Sequence, residues 1–504
     1  MLSALIWVPV LGVALIGFWP SQMSANRVRS LALAVASILI VLTLVLLSQF
    51  DISNAGMQFS ELVPWIDTLG LNYSLGVDGL SMPMLALTAI LTWIAIYSSN
   101  ESVARPRLYY ALILTVNAGV IGGFLAQNLL LFILFYELEL IPFYLLIAIW
   151  GGTSGRGYAA TKFLIYTAVS GILILAAFLG LTWLSDSSTF DYNSIVTVGL
   201  PLTTQLILLT MLLVGFGIKI PLVPLHTWLP DAYVEASPPV AILLGGVLAK
   251  LGTYGLVRFG LGLFPETWAL VAPGLAILGA IIAVYGALTA IAQKDIKRMV
   301  AYSSIGHMGY VLLGAAAATE ISLIGAVSQM VAHGLILAIL FHLVGVIETK
   351  VGTRDLDELN GLMSPVRGLP SISALLVLGG MASAGIPGMA GFVAEILVLQ
   401  GSYSVFPLPT LICVVCTGLT AVYFVILLNR TCFGKLDNAT AYYPTVNFPE
   451  KLPAFVLAAI IFFLGIQPTW LVRWSETTVA AMVATVQVKG EQQLATIEAP
   501  LIER

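Results

Sequence analysis

Apolar residues along this chain come in runs about twenty long, divided by short polar stretches, and about 20 mostly apolar residues are what a helix needs to cross the hydrocarbon of a bilayer. That spacing predicts fourteen spans, at 2–20, 30–49, 79–98, 108–127, 129–150, 160–184, 201–229, 238–263, 267–292, 297–317, 322–348, 371–400, 407–430 and 452–473. Two of them contain their own breakers. The seventh reads GFGIKIPLVPLHTWLP, with Pro221 and Pro224 just past Lys219. The twelfth reads ASAGIPGMAGFVAEI, with Gly385, Pro387, Gly388 and Gly391 ahead of Glu395. Proline removes a backbone donor and clashes with the preceding turn. At membrane depth such a break is tolerated only where protein or a water-lined cavity surrounds it.

Interrupted spans five apart predict two five-helix repeats, spans 4–8 and 9–13, and an odd number of helices inverts the second copy. The expected fold is therefore an all-α polytopic membrane protein of about 14 transmembrane helices. Residues 1–107 hold spans 1–3, 108–263 the first repeat, 267–430 the second, inverted repeat, and 431–504 the last span and a polar tail. Tail residues 474–504 are polar enough to leave the bilayer.

Composition agrees with that reading: 59% of the chain is hydrophobic and 9% charged, against about 25% charged in ordinary soluble domains. Of the 21 Lys and Arg, fifteen fall on one face of the fourteen-span layout, among them Arg27, Arg105, Lys162, Lys297, Arg367 and Lys435. Only Arg258, Arg473, Lys489 and Arg504 fall on the other, and Lys219 and Lys250 lie inside spans. The positive-inside rule then puts both termini on the non-cytoplasmic side. No basic stripe is present, which excludes nucleic acid as a partner. Cys413, Cys416 and Cys432 are too few to hold an iron–sulfur cluster and read as small buried residues. No dinucleotide fingerprint or metal-ligand spacing occurs, so no cofactor is expected in this chain. The first span has no positive leader and is expected to stay uncleaved.

Against that apolar background, the ionisable residues inside spans carry the functional signal. A charge at the middle of a bilayer costs about 2.5–3.5 kcal/mol even on the lenient scale. Glu137 and Glu139, in LFYELELIPFY, point to nearly opposite sides of a regular helix. One is expected to face the bundle, and the other a neighbouring subunit or span 6. Lys219, beside its helix break, is the natural partner of a buried carboxylate, and lysine relays protons where arginine never releases its own. A static buried ion pair is the plainer alternative. Lys250, in AILLGGVLAKLGTYG, has no carboxylate on its own helix. Desolvation favours the neutral form of an amine, as a reversible carrier requires, whereas snorkelling to an interface would keep it charged. His307, flanked by hydroxyls, and His333 serve either as relay groups or as helix–helix hydrogen bonds. His342 is expected to face away from His333, His226 to cap an interface, and Glu348 to form a solvated pair with Lys350. Glu395 ends the series.

GVDGLSMPM (76–84), YELELIPFY (136–144), KIPLVPLHTWLPDAYVEA (219–236), AKLGTYGLVRF (249–259), DIKRMVAYSSIGHMGY (295–310), MVAHGLILAILFHL (330–343) and GIPGMAGFVAEI (385–396) resemble the antiporter-like proton-pumping subunit 4 of complex I. The ELELIP segment is most similar to its cyanobacterial and plastid type. The resemblance implies that Glu137 pairs with Lys219, that Lys250 is the central carrier, and that Glu395 is the exit residue. It places His307 and His333 on the polar axis between them. It also implies that the iron–sulfur clusters and plastoquinone belong to partner subunits, with neighbouring antiporter-like subunits, the lipid bilayer and protons as what this chain meets. The setting it implies is the cyanobacterial thylakoid. Gly306, where relatives carry serine, and the ASAGIPG stretch point toward the carbon-dioxide-uptake form of the complex. A subunit of a multi-subunit cation/proton antiporter, without redox function, is the rival reading.

Overall fold

The computed structural model describes residues 1–18, 24–152, 154–195, 197, 199–366, 368–434 and 443–502, with side chains to residue 486. Arg367, Lys435 and Arg504 of the charge count lie outside the described residues, as does the side chain of Lys489. The helices run α1 (Leu2–Phe18), α2 (Ala25–Gln49), α3 (Ser81–Ser98), α4 (Pro106–Leu125), α5 (Leu129–Leu138), α6 (Leu140–Trp150) and α7 (Arg156–Leu184). There follow α8 (Leu202–Lys219), α9 (Trp228–Glu235), α10 (Pro238–Leu243), α11 (Ala249–Gly255), α12 (Pro265–Ile291), α13 (Ile296–Ala317) and α14 (Glu320–Val351). The last are α15 (Pro370–Ser383), α16 (Ala390–Tyr403), α17 (Pro407–Thr431), α18 (Phe448–Ile466) and α19 (Thr469–Ile502).

Among the described residues, eleven helical segments are long and apolar enough to cross a membrane, counting α5 with α6 and α10 through Leu261 as one each. The chain is a mostly helical, integral membrane protein. The other expected spans fall on the 17-residue α1, on α13 with its hydroxyls and His307, and on the pair α15 and α16, 14 residues each. The segment 238–261 and α14 are buried nearly throughout, while α2 and α18 turn most of their apolar surface outward. In lipid, helix association depends on close packing rather than on hydrophobic burial. Accordingly α12 and α13 touch backbone to backbone, where a Cβ on Gly286 would overlap Gly306.

The segment 50–78, between the second and third expected spans, holds an antiparallel hairpin of β1 (Gln58–Ile66) and β2 (Leu71–Val77), a two-stranded addition to the mostly helical fold. Phe59, Leu62, Val63, Trp65 and Ile66 give β1 a strand composition, but Pro64 within it masks the signal. Gly70 turns the hairpin at φ +63°, where a Cβ would sit 2.8 Å from the Ser188 carbonyl oxygen. The tail is helical. α19 packs Leu471, Ser475, Val479 and Val483 inward, and its Thr478 hydroxyl accepts the Gly79 N–H at 3.0 Å.

The two expected breaks are present, between α8 and α9 at 220–227 and between α15 and α16 at 384–389. Two irregularities were not expected. Helix α5 stops one residue short of Glu139, because Pro142 offers no N–H to the Leu138 carbonyl one turn back. Around α11, residues Leu244–Leu248 and Leu256–Leu261 widen into π-helical turns, a distortion frequent at functional positions.

Candidate functional site: a line of buried titratable side chains

Lys250 is fully buried, near the start of α11 and just past the first π-helical turn. Its side chain folds back so that Nζ donates to the Gly245 carbonyl at 2.5 Å. The same nitrogen lies 2.8 Å from Nδ1 of His333 on α14. The His333 ring sits 5.4 Å, centroid to centroid, from that of His307 on α13. Nε2 of His307 is 3.5 Å from Oε1 of Glu395 on α16. Four of the six residues singled out in the sequence thus form one continuous line, drawn from α11, α14, α13 and α16.

Hydrogen-bond partners constrain the protons in this line. Nδ1 of His307 faces the Ser303 carbonyl at 2.8 Å and Nε2 faces the Ser383 carbonyl at 3.2 Å. Carbonyls only accept, so both ring nitrogens have work as donors, and the adjacent Glu395 carboxylate balances an imidazolium. His333 differs: its Nε2 is buried with no hydrogen-bond partner among the described residues. The break before α16 makes room for Glu395. Gly385, at φ +68°, would place a Cβ 2.7 Å from Glu395 Oε2. Beyond the carboxylate, the Thr417 hydroxyl donates to Glu395 at 3.4 Å and meets the Tyr310 hydroxyl at 3.0 Å.

Lys219 ends α8 at the other break and is buried. Its partner is Glu139, with which it forms a buried ion pair. The expected pairing with Glu137 is corrected. The break in front of Pro142 invalidates a count of 100° per residue across Glu139 and turns that carboxylate to the lysine. Glu137 lies instead against Gly171 of α7, whose missing side chain leaves it space. The Lys219 amine also donates to the Tyr136 carbonyl at 3.2 Å and sits 3.2 Å over the Tyr136 ring. Its Cβ is 3.3 Å from where a Cβ on Gly252 would lie, so Lys219 backs onto α11 two residues from Lys250.

Residues missed in the sequence hold the half-helix α9 beside Lys219. Asp231 takes Lys162 at 2.8 Å and Arg298 at 3.4 Å. Lys297, read as a basic-loop residue, is buried and donates to the carbonyls of Val234 and Ala236 at 3.0 and 2.6 Å. It caps the C-terminal end of α9, where unpaired carbonyls favour a cation. Arg258 is likewise buried, paired with Asp78 at the start of α3; 180 residues of sequence separation hid that contact.

The remaining expectations divide. His226, expected as an interfacial cap, directs its Nε2 to the Tyr285 hydroxyl at 3.0 Å. His342 faces away from His333 and reaches the Glu450 carbonyl at 2.8 Å. Glu348 pairs with Arg354 at 3.2 Å, while Lys350 pairs with Glu450 at 2.8 Å, so the predicted Glu348–Lys350 pair is replaced by two others. The three cysteines are free and buried. Among the described residues no cluster of three His, Cys, Asp or Glu could hold a metal.

Comparison with known proteins accords with this layout. Residues 126–420 match the transmembrane family described as NADH:quinone oxidoreductase/Mrp antiporter. NAD(P)H-quinone oxidoreductase chain 4 of Acaryochloris marina is 40% identical, over 96% of this chain and 92% of its own. A chain 4 homologue from Microcystis aeruginosa is 44% identical over 79% of this chain and 72% of its own. A chain of respiratory complex I from Thermus thermophilus superposes with a TM-score of 0.86 at 27% identity, covering 96% of this chain and 100% of that one. A chain of the Mrp complex from Dietzia sp. shares the fold, with a TM-score of 0.83 at 21% identity over 97% of this chain and 99% of that one. The chain belongs to the NADH:quinone oxidoreductase/Mrp antiporter membrane-subunit family, among the chain 4 proteins of the NAD(P)H-quinone oxidoreductases.

Proposed function

We propose that this chain is the proton-translocating membrane-arm subunit of an NAD(P)H- or ferredoxin-driven plastoquinone oxidoreductase. The carrying observation is the line Lys250–His333–His307–Glu395, buried and joined at 2.8 Å, by adjacent rings and at 3.5 Å. Lys219, with Glu139 at the kink between α5 and α6, and Glu137 stand at the other end. Protons pass between these groups while the electrons move in other subunits, which hold the iron–sulfur clusters and the quinone. The catalytic groups of this chain are Glu137, Lys219, Lys250, His307, His333 and Glu395, and none of them is a redox centre.

The finer architecture belongs to the same reading. Eleven long spans with α1, α13 and the broken α15–α16 pair make fourteen crossings. The two Pro- and Gly-broken segments mark inverted repeats over spans 4–8 and 9–13. Residues 1–107 precede the repeats, which occupy 108–263 and 267–430, and 431–504 follow. The excess of Lys and Arg on one face supports both termini lying away from the cytoplasm, in a thylakoid-type membrane. Neighbouring antiporter-like subunits would flank the chain.

Purification through this chain tests the reading. Co-isolation of iron–sulfur and quinone-site subunits, with quinone reduction that acidifies one side of sealed vesicles, is the expected result. A complex without redox centres that exchanges cations for protons would instead establish the antiporter reading. The same pull-down from cells grown at low and at high carbon dioxide assigns the chain to the carbon-dioxide-uptake form or the respiratory form.

A further inference from the structure

We propose that Tyr233, on the half-helix α9, is a positioning residue for Lys250: its hydroxyl holds the first π-helical turn open, and the open turn keeps a carbonyl free to seat the amine. This assignment rests on the relay reading above. Tyr233 is fully buried and donates its hydroxyl to the Leu244 carbonyl at 3.1 Å. Its ring meets Phe341 of α14 edge-on, with centroids 5.5 Å apart. The same ring lies against Gly245, where an added Cβ would come 3.3 Å from it. Residues 244 and 245 are where the helix of Lys250 leaves its regular register.

In a regular α-helix the Ala249 N–H would bond to the Gly245 carbonyl, four residues back. Here it bonds to the Leu244 carbonyl, five back. Leu244 thus accepts from both Ala249 and Tyr233, and the Gly245 carbonyl is left for Lys250 Nζ at 2.5 Å. Closing the turn back to α-helix would return Gly245 to its own backbone and take that acceptor from the lysine. The ring of Tyr233 alone would fill the space between α14 and Gly245; only the hydroxyl reaches the carbonyl that carries the register shift. The seat of Lys250 is therefore fixed from outside its own helix, by the segment that follows the break at 220–227. An amine held in one place transfers its proton in a fixed geometry.

Tyr233→Phe, which keeps the ring and removes the donor, tests the assignment in the complete complex in sealed inverted vesicles, by protons moved per electron across pH. Assembly is followed on native gels. Tyr254→Phe is the control, because it removes another buried hydroxyl, one that donates to the Phe124 carbonyl at 3.2 Å from one turn past Lys250. Tyr233→Phe should lower the ratio by part of what Lys250→Ala removes and shift its pH profile by about one unit, the scale of one hydrogen bond. Tyr254→Phe should do neither. His333 of α14 faces Lys250 and Ser304 of α13 adjoins the Tyr233 hydroxyl; both are unaltered in the two variants. Should Tyr233→Phe fail to assemble, Tyr233→His, whose shorter ring does not reach Leu244, decides by the same profile. A parental ratio with an unshifted profile beside an impaired Lys250→Ala, or equal losses in Tyr233→Phe and Tyr254→Phe, overturns this assignment alone. Normal pumping by Lys250→Ala overturns the relay reading with it.

Discussion

The two lysines at the centre of this chain keep different company. Lys219 is held by a carboxylate, a carbonyl and an aromatic face, all donated by a kinked helix. Among the described residues Lys250 pairs with no carboxylate; it meets one carbonyl and one imidazole. An ion pair at low dielectric resists losing either charge, so its proton moves only when the partner is neutralised. An amine facing an imidazole meets a group that can either donate or accept a proton. On the proposed relay, one site would store charge until it is triggered, and the other would pass protons with little reorganisation. Backbone irregularity follows the same division. Carboxylate-bearing sites sit at true helix breaks, whereas Lys250 stands on a helix merely widened by π-helical turns.

Removing the unpaired lysine is the sharpest way to break that comparison. Lys250→Ala should remove this chain's share of the protons translocated per electron, its transfer step being slowed about 100-fold, the scale of a positioned proton-transfer group, with the complex still assembled. A ratio equal to the parent's would reduce the whole line to helix packing. His333→Leu comes next. It removes the imidazole that stands between Lys250 and His307 while leaving the His307–Glu395 contact, and should lower the same ratio by a smaller factor. Proton uptake and quinone reduction recorded on one vesicle preparation check both.

Much of this was legible in the sequence, and the failures share a cause. Span boundaries followed from apolar run length, and Lys250, His333, His307 and Glu395 stood out because charge in hydrocarbon is conspicuous. The Pro- and Gly-marked breaks before α9 and α16 were equally plain. What escaped is geometry that needs a second element. The Glu139 contact depends on a proline three residues later kinking α5, so counting 100° steps across it could not succeed. Lys297 looks like a loop cation until α9 brings carbonyls to it. The hairpin at 58–77 hid behind Pro64, although Gly70 and the aromatic residues were in view.

A third buried pair separates pairing from relay. Arg258 and Asp78 are as buried as Lys219 and Glu139, yet an arginine does not give up its proton. Arg258→Met strands Asp78 and should cost about 3–5 kcal/mol, seen as less assembled complex and a lower melting temperature. The complex that remains should translocate protons at the parental ratio. Asp78→Asn together with Arg258→Met should regain most of the lost complex. A lowered ratio in that double variant would make the Asp78–Arg258 pair part of the path. Lys297→Met has a smaller expected effect. It frees the carbonyls at the end of α9 and should cost about 1–2 kcal/mol, read in the same melting assay.

The smallest effect belongs to a charge cluster in water. Asp357 accepts from Lys294 at 2.6 Å and from Arg430 at 2.9 Å, on an exposed loop. The Lys294 hydrogen bond holds the Asp357 carboxyl below the usual carboxylate range. A carboxyl lowered in the folded state contributes above its unfolded value of about 3.9 and loses that contribution as pH falls through the folded value. At neutral pH the contribution is fully present and small, because exposed pairs are screened. Asp357→Asn should therefore leave protons per electron at pH 7 unchanged, while Lys250→Ala does not. Equal losses in the two variants would mean that surface charge near α13 and α17, rather than sequestration from solvent, sets the ratio, and the contrast between the two lysines would lose its basis.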